Sequence, residues 1–173
     1  MGRKSRRKTR TRNSRSLVSH FNTKSPVAEQ YRTIRTNIQF SAIDRDLQTM
    51  MVTSPGPEEG KSTTAANLAV VFAQQGRKVL IIDADMRKPT VHYTFRANNT
   101  LGLTNVLTRQ ISLEEAICAT EVENLHVLAS GPVPPNPAEL LGSETMKHLM
   151  GLCKENYDTV IFDTPPVLAV TDA

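Results

Sequence analysis

A short loop carries the residue types that bind the phosphates of a nucleotide. It contains, in order, Pro57, Glu58, Glu59, Gly60, Lys61, Ser62 and Thr63. In such a loop the backbone N–H groups and the start of the following helix point at anionic oxygens. Lys61 would lie against the β- and γ-phosphates, and the Ser62 hydroxyl would bind Mg²⁺. The match to the pattern G-x-x-x-x-G-K-S/T is imperfect, because Pro55 replaces the first glycine and Gly56 follows one residue late.

Three aspartates at the ends of two apolar segments are suited to a hard divalent cation. They are Asp83, Asp85 and Asp163. Open α/β sheets place their ligand sites at the carboxyl ends of strands. We therefore expect the three acids to converge with Ser62 on one Mg²⁺, a cation that prefers oxygen ligands. Taken singly, Asp83 or Asp163 is equally typical of a strand-terminal turn residue or a helix cap.

The elements that must position these residues alternate along the chain. Apolar segments bounded by turn residues predict strands, and caps followed by helical apolar spacing predict helices. Strands are expected at residues 49–53, 78–83, 125–129 and 158–163, and helices from about residues 25, 61, 112 and 138, the last ending at 156. This alternation predicts an α/β fold with a doubly wound, mostly parallel sheet.

The first predicted helix combines an apolar stripe with a charged strip. Ser25 and Pro26 are typical of a helix start. The apolar stripe, which must pack on something, consists of Val27, Tyr31, Ile34 and Ile38. Glu29, Arg32 and Arg35 follow one another at three-residue spacing on another side. From the residues alone, Glu29 and Arg32 are equally consistent with a solvated ion pair worth roughly a few tenths of a kcal/mol.

The positive charge of the chain is concentrated at its beginning. Of the 21 Lys and Arg residues, eight lie within residues 1–15, where none of the 17 acidic residues occurs. We therefore expect residues 1–24 to be a flexible basic arm and residues 25–173 to be one folded domain. Such an arm is attracted to anionic lipids, although a solvated arm without a partner is the alternative. Nucleic acid is not expected, because no aromatic side chain is interleaved with the arginines.

Composition excludes several classes of protein. A 173-residue chain with 39% hydrophobic residues has enough apolar material for a core, so wholesale disorder is excluded. The longest apolar run, residues 68–73, is much shorter than the ~20 residues that span a bilayer. No apolar segment follows the basic N-terminus as in a secretory signal, and two cysteines cannot form a disulfide framework. These features predict a cytoplasmic location.

The motifs together resemble those of the bacterial tyrosine kinases (BY-kinases), and among them the CapB/CpsD-type cytoplasmic kinases of capsule and exopolysaccharide synthesis. Residues 60–63, 80–87 and 161–166 resemble the Walker A, Walker A′ and Walker B motifs of that family. Glu29, Arg32 and Arg35 match its E-x-x-R-x-x-R oligomerisation motif, and residues 135–141 are similar to a further family segment. The resemblance extends over roughly residues 25–173.

The resemblance implies a P-loop NTPase fold with an N-terminal oligomerisation helix. It implies an ATP- and Mg²⁺-dependent autokinase that phosphorylates tyrosines of a neighbouring subunit within a ring. Lys61 would neutralise phosphate charge, Ser62 and Asp163 would organise Mg²⁺, Asp83 would accept the phenolic proton, and Asp85 would assist the metal and the base. The family further implies regulation of polysaccharide synthesis, a transmembrane activator of polysaccharide export, and a position at the inner face of the cell membrane.

Two features depart from the family pattern. Glu58 stands where the family commonly has glycine, which restricts the backbone and adds negative charge near the phosphates. The chain ends ten residues after Asp163, whereas the family continues with further strands and a tyrosine-rich tail. We therefore expect a truncated product or a fragment, whose tyrosines are Tyr31, Tyr93 and Tyr157.

Two other functions remain open. A MinD/ParA-type switch ATPase would share the fold, but its P-loop carries a signature lysine at the position held here by Gly56. A catalytically silent scaffold of polysaccharide assembly would keep the fold without turning over ATP.

Overall fold

The computed structural model describes residues 17–168. The helices are α1 (Val18–Phe21), α2 (Pro26–Ser41), α3 (Lys61–Ala73), α4 (Val91–Phe95), α5 (Leu103–Leu107), α6 (Leu113–Ala116), α7 (Pro137–Leu141) and α8 (Glu144–Asn156). The strands are β1 (Thr49–Val52), β2 (Val79–Asp83), β3 (Ile117–Ala119), β4 (Leu125–Leu128) and β5 (Thr159–Asp163). Within this range no helix has both the length and the apolar character needed to cross a membrane.

The five strands form one sheet in the order β1-β5-β2-β4-β3. Strands β1, β5, β2 and β4 run parallel, and β3 runs antiparallel to β4 at one edge. In the centre, Asp83 of β2 is directly opposite Asp163 of β5. The predicted doubly wound, mostly parallel α/β sheet is confirmed, and its register brings two of the predicted acids to the same edge.

Each face of the sheet is covered by its own apolar core. Val79 and Ile81 of β2 face one core, together with the buried side of α3. Leu80 and Ile82 face the other core, together with residues of α5, α6 and α8. Because successive side chains of a strand point to opposite faces, an apolar run such as β2 is stable only when helices cover both faces.

Helix α3 is buried along most of its length because it is apolar on all sides. Every residue from Ala65 to Ala73 is buried, and the helix packs between the sheet and α2. The apolar stripe of α2 is only partly used in this contact. Tyr31 and Ile38 pack against the core, whereas Val27 and Ile34 are exposed.

The folded part begins earlier than residue 25. Residues 17–24 were predicted to belong to the flexible arm, but they include α1, in which Ser19 is fully buried. Leu17 is also buried and joins the core that contains α3. The prediction was wrong for this segment because its short apolar part, Leu17 and Val18, directly follows a run of basic residues. Residues 1–16 of the predicted arm lie outside the described residues.

Three differences from the predicted elements have local causes. The expected helix over residues 138–156 is two helices, because Ser143 accepts a hydrogen bond from Met146 N and so begins α8. The capping box at Ser112 and Glu115 is confirmed, but α6 is one turn long and continues directly into β3. Strand β3 and helices α4 and α5 were not predicted, since each spans at most five residues and periodicity is weak at that length.

Candidate active site

The predicted phosphate-binding loop lies between the end of β1 and the start of α3. Gly60 adopts the left-handed conformation, with φ of 80°, and α3 begins at the next residue. Glu58 is also left-handed, with φ of 60°, a conformation that glycine adopts far more easily. The residues from Pro57 to Gly60 are all exposed, so the loop is accessible to a ligand. The predicted strand–loop–helix order is confirmed.

Lys61 reaches from the first turn of α3 to the carboxyl ends of the central strands. Its Nζ atom lies 2.8 Å from Asp163 Oδ1 and 3.5 Å from Asp85 Oδ2, and it donates to Ser62 Oγ at 3.3 Å. The three charged side chains are at most 9% exposed. The structure therefore brings together four of the residues predicted from three separate motifs.

Asp163 is the innermost group of this cluster. Its carboxylate accepts hydrogen bonds from Lys61 and Ser62, yet its Oδ2 atom is buried without a hydrogen-bond partner among the described residues. Burial raises the pKa of Asp163, and the hydrogen bonds from Lys61 and Ser62 oppose that shift. A buried, unpaired carboxylate oxygen is an atom that a divalent cation can satisfy.

Asp83 is fully buried at the end of β2, and backbone groups hold its carboxylate. Oδ2 accepts the N–H groups of Thr90 and Val91, both at 3.0 Å, and Oδ1 accepts that of Asp85 at 3.2 Å. Burial first, and then the charge of Asp163, raise the pKa of Asp83 to about 7. A carboxylate with a pKa near neutrality is suited to act as a general base.

These oxygen ligands do not form a closed metal cage. Within residues 17–168 no group of three or more His, Cys, Asp or Glu side chains is arranged to hold a metal ion. The convergence of the three acids with Ser62 on one cation stays a prediction, and in the structure the Asp83 carboxylate is engaged by backbone donors. Mg²⁺ keeps several water ligands and uses few protein carboxylates. Ser62 and Asp163 fit such an ion, with Asp85 beside them.

Backbone donors of residues 88–91 are the part of the site that motif analysis missed. Besides Thr90 and Val91, Lys88 donates its N–H to Asp85 Oδ1 at 3.1 Å. Such donors leave no signature in side-chain types. The one available signal is Pro89, which marks a turn shortly after the acids.

The charged strip of α2 makes its contacts elsewhere. Arg32 pairs with Glu29 and donates to the Thr23 carbonyl at 2.6 Å. Arg35 Nη1 donates to the carbonyl of Val71 in α3 at 2.7 Å, and burial lowers the pKa of Arg35. Arg35 thus connects two helices within the subunit. The oligomerisation role of the strip stays a prediction.

Comparisons with known proteins show which proteins this chain is similar to. The family model described as an AAA domain matches residues 58–173. The chain is 59% identical over 163 residues to tyrosine-protein kinase YwqD of Bacillus subtilis, covering 94% of this chain and 69% of that protein. It is 44% identical over 157 residues to the putative tyrosine-protein kinase CapB of Staphylococcus aureus, covering 91% of this chain and 69% of that protein.

Solved structures that resemble this chain include tyrosine kinase domains and, at lower similarity, a protein complexed with Mg-ADP. The chimerical protein CapA2B2 matches 91% of this chain and 69% of its own, with a TM-score of 0.88 and 50% identity. The septum site-determining protein MinD of Pyrococcus horikoshii, complexed with Mg-ADP, matches 68% of this chain and 48% of its own, with a TM-score of 0.57 and 27% identity. The P-loop NTPase fold is thereby confirmed. From its sequence identity to named kinases over most of their length, the chain belongs to the bacterial tyrosine-protein kinase family.

Proposed function

We propose that the chain binds Mg·ATP at this cluster and transfers the γ-phosphoryl group to a tyrosine of a neighbouring subunit. The observation that carries the proposal is the convergence of Lys61, Ser62, Asp85 and Asp163 beside one phosphate-binding loop, with Asp163 Oδ2 unpaired among the described residues. The Mg-ADP in the related MinD structure and the names of the kinase relatives support the same ligand and reaction.

In this proposal the residues from Pro57 to Thr63 hold the phosphate chain through backbone N–H groups. Lys61 would exchange its contact with Asp163 for the β- and γ-phosphates. Ser62 and Asp163 would hold Mg²⁺, and Asp85 would orient Lys61. When bound, the ion neutralises negative charge on the phosphate oxygens. Phosphoryl transfer depends mainly on such positioning and charge neutralisation.

Asp83 is the proposed proton acceptor. The tyrosine oxygen forms a bond to the γ-phosphorus, the bond from phosphorus to ADP breaks, and the phenolic proton passes to the Asp83 carboxylate. A phenol has a pKa of about 10, so a carboxylate aligned before transfer favours the reaction. The N–H groups of Thr90 and Val91 keep that carboxylate in place.

The assembly and partners of the chain belong to the same proposal. Glu29, Arg32 and Arg35 would take part in a homo-oligomeric ring, which places the tyrosine of one subunit at the site of the next. The names of the relatives, among them a putative kinase in a cps region of Klebsiella pneumoniae, support a role in capsular or extracellular polysaccharide synthesis. We place the protein in the cytoplasm at the inner face of the membrane, beside a transmembrane activator.

Phosphotyrosine formation tests the proposal directly. The full chain is incubated with Mg·ATP and a synthetic tyrosine-containing polymer as an added acceptor, and phosphotyrosine is detected with an antibody. Lys61→Ala and Asp83→Ala are expected to lower the signal by roughly 100-fold or more. Lys147→Ala is the matched control, since Lys147 is an exposed lysine that pairs with Glu144. Equal signals in all four proteins would contradict the assigned roles.

The same assay separates the alternatives. Release of inorganic phosphate without phosphotyrosine would favour a switch ATPase, for which the MinD likeness is the supporting observation. Intact nucleotide binding with neither product would favour a catalytically silent scaffold, for which the strained Glu58 in the loop is the supporting observation.

A further inference from the structure

The segment of residues 17–21, which we call the N-terminal strap, is held by two side chains of the helix that follows the phosphate-binding loop. Asn67 Oδ1 accepts the N–H of Ser19 at 3.0 Å. Gln74 Nε2 donates to the carbonyl of Ser19 at 2.8 Å. Asn67 lies in α3 and Gln74 caps its C-terminal end about two turns further on, so that both side chains lie on one face of the helix. The backbone N–H and the backbone carbonyl of Ser19 are thus both hydrogen-bonded by side chains of α3 and its C-cap.

The same asparagine also contacts the first turn of α3. Its Nδ2 atom donates to the carbonyl of Thr63 at 2.9 Å, and Thr63 directly follows Lys61 and Ser62. Asn67 is fully buried, so its amide cannot exchange these partners for water without cost. A single side chain therefore connects the strap to the residues that would hold phosphate and metal.

The strap also lies near the element that supplies a hydrogen-bond donor to Asp83. A small cavity of about 20 Å³ separates Leu17, His20 and Phe21 from Thr94, Phe95 and Arg96 at the end of α4. At its beginning, α4 supplies the Val91 N–H that hydrogen-bonds Asp83. The strap therefore packs on α3 and faces α4 across this cavity, and both helices begin at the candidate active site.

We propose that Asn67 is a positioning residue for the phosphate-binding site, and that it acts through Thr63 while the N-terminal strap holds it in place. The proposal rests on the proposed nucleotide-binding function. It requires that docking of the strap and binding of nucleotide favour each other. Because such coupling is reciprocal, nucleotide must also strengthen the docking of the strap, which a residue with a merely structural role would not produce.

Nucleotide affinity is measured on the full chain with a fluorescent ADP analogue and Mg²⁺. Asn67→Ala is expected to weaken binding roughly tenfold, within the usual range of coupling between sites. Gln74→Ala, at an exposed position, is expected to weaken binding roughly two- to fivefold. Gln75→Ala is the matched control, because Gln75 bonds Gln39 of α2 and not the strap; its affinity should equal that of the wild type.

Hydrogen exchange of the strap supplies the second readout. Addition of Mg·ADP to the wild-type chain is expected to slow exchange in residues 17–21, and Gln74→Ala should reduce that effect. Unchanged exchange on nucleotide binding, or wild-type affinity in both Asn67→Ala and Gln74→Ala, would overturn the proposal. So would an equal loss of affinity in Gln75→Ala. Absence of binding by the wild-type chain would instead overturn the proposed function, and this inference with it.

Discussion

Glu58 carries two disadvantages at one position of the loop. Its φ of 60° lies in a region that costs a residue with a side chain roughly 1–2 kcal/mol. Its carboxylate also adds negative charge where a polyanion is expected to bind. Glu59, the next residue, carries the same charge, and the structure assigns it no positive φ. The two neighbours therefore allow backbone strain and charge to be separated experimentally.

Glu58→Gly is expected to raise the free energy of unfolding by up to about 1 kcal/mol and to tighten Mg·ADP binding. Glu58→Gln, which removes the charge and keeps the strained side chain, should tighten binding without the gain in stability. Thermal unfolding and nucleotide titration check both effects. A gain in stability from Glu59→Gly as large as that from Glu58→Gly would contradict the strain argument.

Asp83 makes stability depend on pH in a defined direction. Burial raises its pKa from 3.8 to about 7 in the folded chain. Between those values the native state keeps a proton that the unfolded chain has lost, so the free energy of unfolding falls as the pH rises. Below about pH 4 this carboxyl is protonated in both the folded and the unfolded state, so it causes no change of the free energy of unfolding with pH there.

In Asp83→Asn the decline of stability between about pH 4 and about pH 7 is expected to be shallower than in the wild type, by on the order of a few kcal/mol over the whole window. Denaturant unfolding of the magnesium-free chain at several pH values measures how the free energy of unfolding depends on pH. Asp44→Asn, at an exposed aspartate, is the control and should follow the wild-type curve. Parallel curves for Asp83→Asn and wild type would contradict the assignment.

At the scale of elements, the packing of α2 on α3 separates the members of the charged strip. Arg35 makes a partly buried hydrogen bond to the Val71 carbonyl of α3, whereas the Glu29 side chain in the Arg32–Glu29 pair is 65% exposed. A partly buried bond from a charged group contributes more than an exposed ion pair does. Residues of one motif thus contribute different amounts to the stability of the subunit.

Arg35→Ala is expected to lower the free energy of unfolding by about 1.5–3 kcal/mol, and Arg32→Ala by at most about 1 kcal/mol. Urea denaturation compares the two. Sedimentation velocity then tests the proposed ring, which both substitutions should weaken. A larger loss of stability in Arg32→Ala would contradict the structural role of Arg35, and an unchanged oligomer in both would contradict the interface.

Sequence patterns predicted the elements that have strong local signals. The apolar runs that end at Asp83 and Asp163 correctly predicted two central strands, and the Gly60–Lys61 pair correctly predicted the start of α3. Strand β3 was missed because it is three residues long and depends on pairing with β4. In the site, the meeting of Asp83 and Asp163 at one edge of the sheet followed from the topology of parallel strands. The donors to Asp83 did not, because Thr90 and Val91 act through backbone N–H groups.

At the scale of the whole molecule, charge is divided between the beginning of the chain and the rest. Eight of the 21 basic residues lie within residues 1–15, and all 17 acidic residues lie after them. A polybasic segment gains roughly 1 kcal/mol per basic residue close to an anionic lipid surface, and salt screens that gain. The proposed membrane contact therefore depends on a segment that precedes the described residues.

Vesicle co-sedimentation tests that contact. The full chain is expected to pellet with phosphatidylserine-containing vesicles at low salt, and to be released at high salt. Removal of residues 1–16, which leaves the buried Leu17 and α1 in place, should abolish pelleting. Vesicles of phosphatidylcholine alone are the control. Equal pelleting with and without residues 1–16 would assign the contact to the folded part instead.

The ion pair between Lys61 and Asp163 gives the site a counter-ion of its own. Any divalent ion that binds this carboxylate has to compete with an ammonium group already there, so ligand entry is an exchange of cations. The displaced ammonium then becomes available to the phosphates that arrive with the metal. Metal without nucleotide should consequently bind weakly, since only the two together give Lys61 a new partner.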